Sequence, residues 1–88
     1  MSDLVTLMRE RLGVLDAQSM ELFDESGGHI GHAGYREGGS HFRLDIVSRR
    51  FEGKSTVARH RMVYQALGAL MQGEIHALAI NARTPDEL

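Results

Sequence analysis

A two-layer α+β domain, with helices on one face of a three-stranded mixed sheet, is the fold class that the order of periodicities predicts. Three observations carry it. Apolar residues spaced by three and four open the chain and return after residue 55, two alternating segments stand between those stretches, and a third apolar segment follows the second. The resulting order is helix, strand, strand, helix, strand, with a short C-terminal stub. At 88 residues the chain is sized for one domain over residues 1–88, since domains commonly run from about 50 to 250 residues.

Ser2 and Asp3 are placed to cap a first helix in which Leu4, Leu7, Met8, Arg11 and Leu12 recur, and Gly13 stands where it should stop. Residues 18–24 alternate Met20 and Leu22 against Glu21 and Phe23, and residues 41–48 put Phe42, Leu44 and Ile46 on one face, so both read as strands. Between them, residues 25–40 hold glycines and histidines without a periodic apolar face and read as a long flexible loop. Loops beyond about twelve residues are usually functional or disordered.

Ser55 then caps a second helix expected to run to Gln72 and stop at Gly73. Its expected buried stripe is His60, Val63, Tyr64, Leu67, Leu70 and Met71, with Val57 one turn earlier. Phe51, Tyr64 and Met71 read as core residues, and His60 as a buried structural histidine. Residues 74–81 form the last strand, with Ile75, Ala77 and Ala79 on one face and His76, Leu78 and Ile80 on the other. Apolar residues on both faces place it inside the sheet. Thr84, Pro85 and Glu87 spell a capping box at the C-terminus, with room for one turn.

Composition removes several classes of function. The chain has no cysteine, which excludes disulfides, a thiol nucleophile and clusters held by its own thiolates, so metal chemistry must use histidine or carboxylate. No apolar run approaches the roughly 18 residues of a membrane span, and MSDLVTLMRERLG lacks the features of a signal peptide. The expectation is a soluble cytoplasmic protein with no membrane contact. No nucleophile and base appear in a recognisable catalytic setting, and a domain this small has little room for a deep pocket, so an enzyme is not expected.

Charge is unevenly spread. Arg9, Arg11 and Arg36 stand against seven acids over residues 1–40, a net of −4, whereas Arg43, Arg49, Arg50, Lys54, Arg59 and Arg61 face only Asp45 and Glu52 over residues 43–61, a net of +4. The basic middle suits an acidic partner or phosphates.

Residues 24–87 resemble the BolA family. The resemblance rests on DESGGH at 24–29, SHFRLDIVS at 40–48, RFEGKSTVARHRMVYQAL at 50–67, IHALAI at 75–80 and ARTPDE at 82–87. It implies a fold like the class II KH domain. It also implies a non-enzymatic partner of a monothiol glutaredoxin, the two chains sharing a two-iron two-sulfur cluster together with glutathione, for iron-sulfur trafficking or iron sensing. No cofactor is expected in the isolated chain, which should be a monomer or weak homodimer.

The family's principal ligand lies in the IHAL motif and corresponds to His76. A second comes from the loop between the first two strands, as histidine or cysteine. This cysteine-free chain is similar to the histidine subfamily, and DESGGH puts that ligand at His29. His32 and His41 are the alternatives, ranked in that order. Imidazole is an established ligand for one iron of such a cluster, and it binds only when unprotonated, so an unperturbed pKa of about 6.5 makes the site responsive just below neutral pH.

The resemblance also offers Lys54, Arg59 and Arg61, with the loop's Tyr35, as a surface for glutaredoxin or the glutathione carboxylates. The competing function is a KH-like nucleic-acid-binding transcriptional regulator, with DNA held by Arg49, Arg50, Lys54, Arg59 and Arg61. KH domains clamp a nucleic-acid backbone with a GxxG loop between two helices. The GxxG matches here, Gly28 to Gly31 and Gly31 to Gly34, lie instead between the first two strands.

Overall fold

The computed structural model describes residues 4–25 and 41–88. Helix α1 spans Leu4–Leu12, strand β1 Ser19–Asp24, strand β2 His41–Val47, helix α2 Thr56–Leu67 and strand β3 Ala77–Arg83. The predicted fold class is the observed one. The sheet has the order β1-β2-β3, with β1 antiparallel and β3 parallel to β2. The capping residues Ser2 and Asp3 and most of the 25–40 loop fall outside the described residues.

Both helices cover one face of the sheet. Met8 and Leu12 of α1 and Val63 and Leu67 of α2 pack with Phe42, Leu44 and Ile46 of β2, all buried, and Met20, Leu22, Leu78 and Ile80 complete the layer from the flanking strands. These are the even positions of all three strands, as the pleat requires. The odd positions, including Phe23, Arg43, Ala77 and Ala79, stand on the uncovered face.

Three expectations about the elements are corrected. Helix α2 ends at Leu67 and continues as a 3-10 turn over Gly68–Gln72. Gly68 has φ of 58°, a conformation that breaks the α-helical path and that glycine adopts without steric cost. Val57 and Tyr64 do not belong to the buried stripe, being 65% and 41% exposed. They stand one helical repeat of seven residues apart on the flank of α2, because Tyr64 is rotated about 100° past the buried Val63. Phe51 is fully buried as expected, whereas His60 and Met71 are half-buried.

Strand β3 is an edge strand and not the inner one expected, because β2 pairs with both other strands, and it spans Ala77–Arg83 where residues 74–81 were expected. The apolar residues on both sides of β3 have different causes. Leu78 and Ile80 pack towards the helices, while Ala77 and Ala79 are small residues on the uncovered face. Ile75 is buried in the core, and its backbone N–H bonds back to the Leu70 carbonyl at 2.9 Å, ahead of a bend at His76.

One end of the sheet is locked by polar contacts. The buried Ser48 hydroxyl donates to the Leu15 carbonyl at 2.6 Å and accepts from the Arg50 N–H at 3.1 Å, while the Ser48 N–H bonds the Arg83 carbonyl at 2.9 Å. The C-terminal capping box forms as read, over a single 3-10 turn, Pro85–Glu87. Arg59 reaches it from α2 with a two-pronged pair to Glu87, at 2.7 and 2.9 Å, and also donates to the carbonyls of Ala82 and Lys54, both at 3.0 Å.

Two predictions follow from this packing. Leu44→Ala, in the centre of the core, should cost about 2–5 kcal/mol, and Ser48→Ala about 1–3 kcal/mol because it leaves buried partners unsatisfied. Urea unfolding checks both. The Arg59 hydrogen bonds, with that from the Thr84 N–H next, hold the Glu87 carboxyl at about 2 instead of 4.5. A carboxyl depressed in this way stabilises the fold fully above its unfolded pKa and ceases to do so as pH falls through the folded value. The difference in denaturation midpoint between the native chain and Glu87→Gln should therefore be constant above about 4.5 and shrink towards pH 2.

Candidate functional site

Parallel pairing of β2 with β3 brings two histidines together. His41 opens β2 and is the register partner of Ala77, the first residue of β3, so His76 stands immediately beside it. Their ring centroids are 5.2 Å apart and the planes are inclined by 33°. His41 is half-buried and points to the uncovered face, while His76 is exposed. Had β3 run without a break from Glu74, His76 would share the helix-facing side with Leu78. The bend before Ala77 turns it out instead.

This pair also stands where the 26–40 segment, which carries His29 and His32, joins the sheet. The Glu25 N–H bonds the His41 carbonyl at 2.8 Å, closing the β1–β2 ladder where residues 26–40 leave and re-enter it. Next along the uncovered face, the Arg43 guanidinium lies over the Phe23 ring at 4.7 Å and approaches Glu25 at 3.8 Å. His29, His32 and Tyr35 fall outside the described residues, as do the GxxG matches. Among the described residues no cluster of three or more metal-binding side chains occurs; His41 and His76 stand as a pair.

Their spacing suits a shared metal ion. With metal–imidazole bonds of about 2.0–2.1 Å, two imidazoles on a tetrahedral ion have ring centres about 5 Å apart, near the separation found. Two histidines on one iron of a two-iron two-sulfur cluster is a known ligand set. The histidines therefore fit the ligand role that the resemblance implies.

The basic residues are elsewhere. Ser48, Lys54, Arg59 and Ala82 are linked at the C-terminal ends of β2 and β3, opposite the ends that carry His41 and Ala77. Seven residues of β2 separate the two ends, about 20 Å of extended chain. Arg59 is committed to intramolecular bonds, with a side chain only 13% exposed. Arg49, Arg50, Lys54 and Arg61 are exposed and make no ion pair among the described residues.

Together these features define a small α+β domain with a paired-histidine end and a separate basic end. Comparison with known proteins identifies the lineage: the chain belongs to the BolA family, whose BolA-like protein model matches residues 13–87. It is 49% identical over 71 residues to mouse BolA-like protein 1, covering 81% of this chain and 50% of that one. The chain thus spans about half the length of this curated relative. The structure is similar to BolA1 from Arabidopsis thaliana, with 37% identity, a TM-score of 0.84 and coverage of 100% of this chain and 98% of that one. It is also similar to the BolA domain of SufE1 from the same plant, with 40% identity, a TM-score of 0.82 and coverage of 100% and 99%. Among the described residues, no helix is long and apolar enough to cross a membrane.

Proposed function

We propose that this chain is a non-enzymatic partner of a monothiol glutaredoxin and supplies histidine ligands to a two-iron two-sulfur cluster shared with glutaredoxin and glutathione, for iron-sulfur trafficking or iron sensing. The observation that supports this most directly is the His41–His76 pair, with ring centres 5.2 Å apart on adjacent strand ends. Family membership adds the likeness to a BolA domain found within a SufE protein.

His76 is the first ligand in this reading. His41 becomes the preferred second one, ahead of His29 and His32, because β2 holds it beside His76. The cluster, when bound, supplies the redox and transfer chemistry; the chain orients two imidazoles and leaves one side of the pair open. Lys54, Arg59 and Arg61 lie at the opposite end of the sheet from this pair.

Anaerobic reconstitution with a monothiol glutaredoxin and glutathione, followed by visible circular dichroism, tests the proposal. Adding this chain should replace the glutaredoxin homodimer spectrum with a new one that saturates at equimolar chain. His76→Ala should lower cluster occupancy of the heterodimer by more than about tenfold, since even a group that merely supports a ligand is worth about 10- to 100-fold. His41→Ala should be more damaging than His29→Ala. An unchanged homodimer spectrum would sink the reading.

A further inference from the structure

The solvent side of α2 carries a groove that the paired histidines do not use. Lys54, Ala58, Arg61, Met62 and Gln65 line it, around a volume of about 290 Å³. Ala58 and Met62 supply its apolar lining, and Lys54 and Arg61 add two cations to it. No carboxylate lines it, and neither cation makes an ion pair among the described residues. Val57 and Tyr64, both exposed, continue the apolar surface on the Arg61 side, since all three positions fall on one flank of the helix.

We propose that this groove docks an acidic amphipathic segment of a partner protein. One or two of the segment's apolar side chains would pack on the apolar lining, and its carboxylates would pair with Lys54 and Arg61. Charge selects the occupant: the groove carries two cations of a basic stretch that make no ion pair among the described residues, on a chain whose net charge is −2. An apolar lining with two cations matches a peptide with alternating character better than a phosphate backbone, which carries no apolar group to fill it. The volume is at the bottom of the range for small-molecule pockets, about 300–1,000 Å³, and suits one or two side chains.

The groove is independent of the cluster-binding site. It begins at Lys54, by the C-terminal ends of β2 and β3, and lies on the outer side of the helical layer, whereas His41 projects from the uncovered sheet face at the other end. Both sites can therefore be filled together, so a chain carrying a cluster partner at one end would hold a second protein at the other.

The test uses the full chain and a synthetic helical peptide of Glu and Leu, about 14 residues long, or four turns, observed through backbone amide shifts. Binding should perturb Lys54, Ala58, Arg61, Met62 and Gln65, and weaken with added salt. Lys54→Glu and Arg61→Glu, both at exposed positions, should each reduce affinity by about tenfold with unchanged circular dichroism and Tm. His76→Ala should bind as the native chain does, whatever the result of the cluster experiment. Equal binding of a Glu and Ser peptide that lacks leucine would overturn the proposal by showing charge attraction alone. So would no binding of either peptide, perturbation confined to the histidine end, or a short DNA duplex binding the same residues where the peptide does not.

Discussion

Parallel pairing between β2 and β3 is the constraint on which the rest of the molecule depends. Parallel strands cannot be joined by a tight turn, so the chain must leave the C-terminal end of β2, cross the sheet as α2 and return to the opposite end. That crossing covers Leu44 and Ile46 with Val63 and Leu67 and gives the domain its core. It also decides what lies at each end of the sheet. His41 and His76, thirty-five positions apart in the chain, become neighbours at the end where β2 and β3 begin. Lys54 and Arg59 are sent to the end where they finish.

The two ends are held in different ways. At the far end, Ser48 joins four segments through buried or half-buried hydrogen bonds, and Arg59 fastens the C-terminal turn to α2. Charge-assisted bonds in which one guanidinium spans a carboxylate and two carbonyls fix geometry more tightly than a single ion pair. At the histidine end the ties include the first rungs of the ladders, the Glu25 N–H bond to the His41 carbonyl, and Arg43 stacked on Phe23 and close to Glu25.

Separation of the cations from the histidines also changes how the charge pattern reads. A basic stretch and a metal site that are parts of one short chain look as if they serve one surface. In the fold they face different directions, and Arg59 is spent on the chain's own C-terminus. The remaining cations, Lys54 and Arg61, border an apolar groove on the helical layer. The paired histidines and the cation-bordered groove thus occupy separate faces of the domain.

Local pattern made much of this legible. Alternation of Met20 with Leu22 and of Phe42 with Leu44 and Ile46 announced two half-buried strands, and Ser55 and the Thr84 to Glu87 box announced two helical starts, because capping and the pleat act over a few residues. His76 was legible as a ligand candidate through the resemblance of its motif. That His41 lies beside His76 was not readable from the sequence. Only the register that sets His41 against Ala77 makes it a neighbour of His76, and a parallel register is fixed by packing between residues far apart in the chain. The same holds for Val57 and Tyr64, whose spacing fits a buried stripe, and for the edge position of β3. Which flank of an amphipathic helix is covered, and which strand is central, depend on what the rest of the chain brings against them.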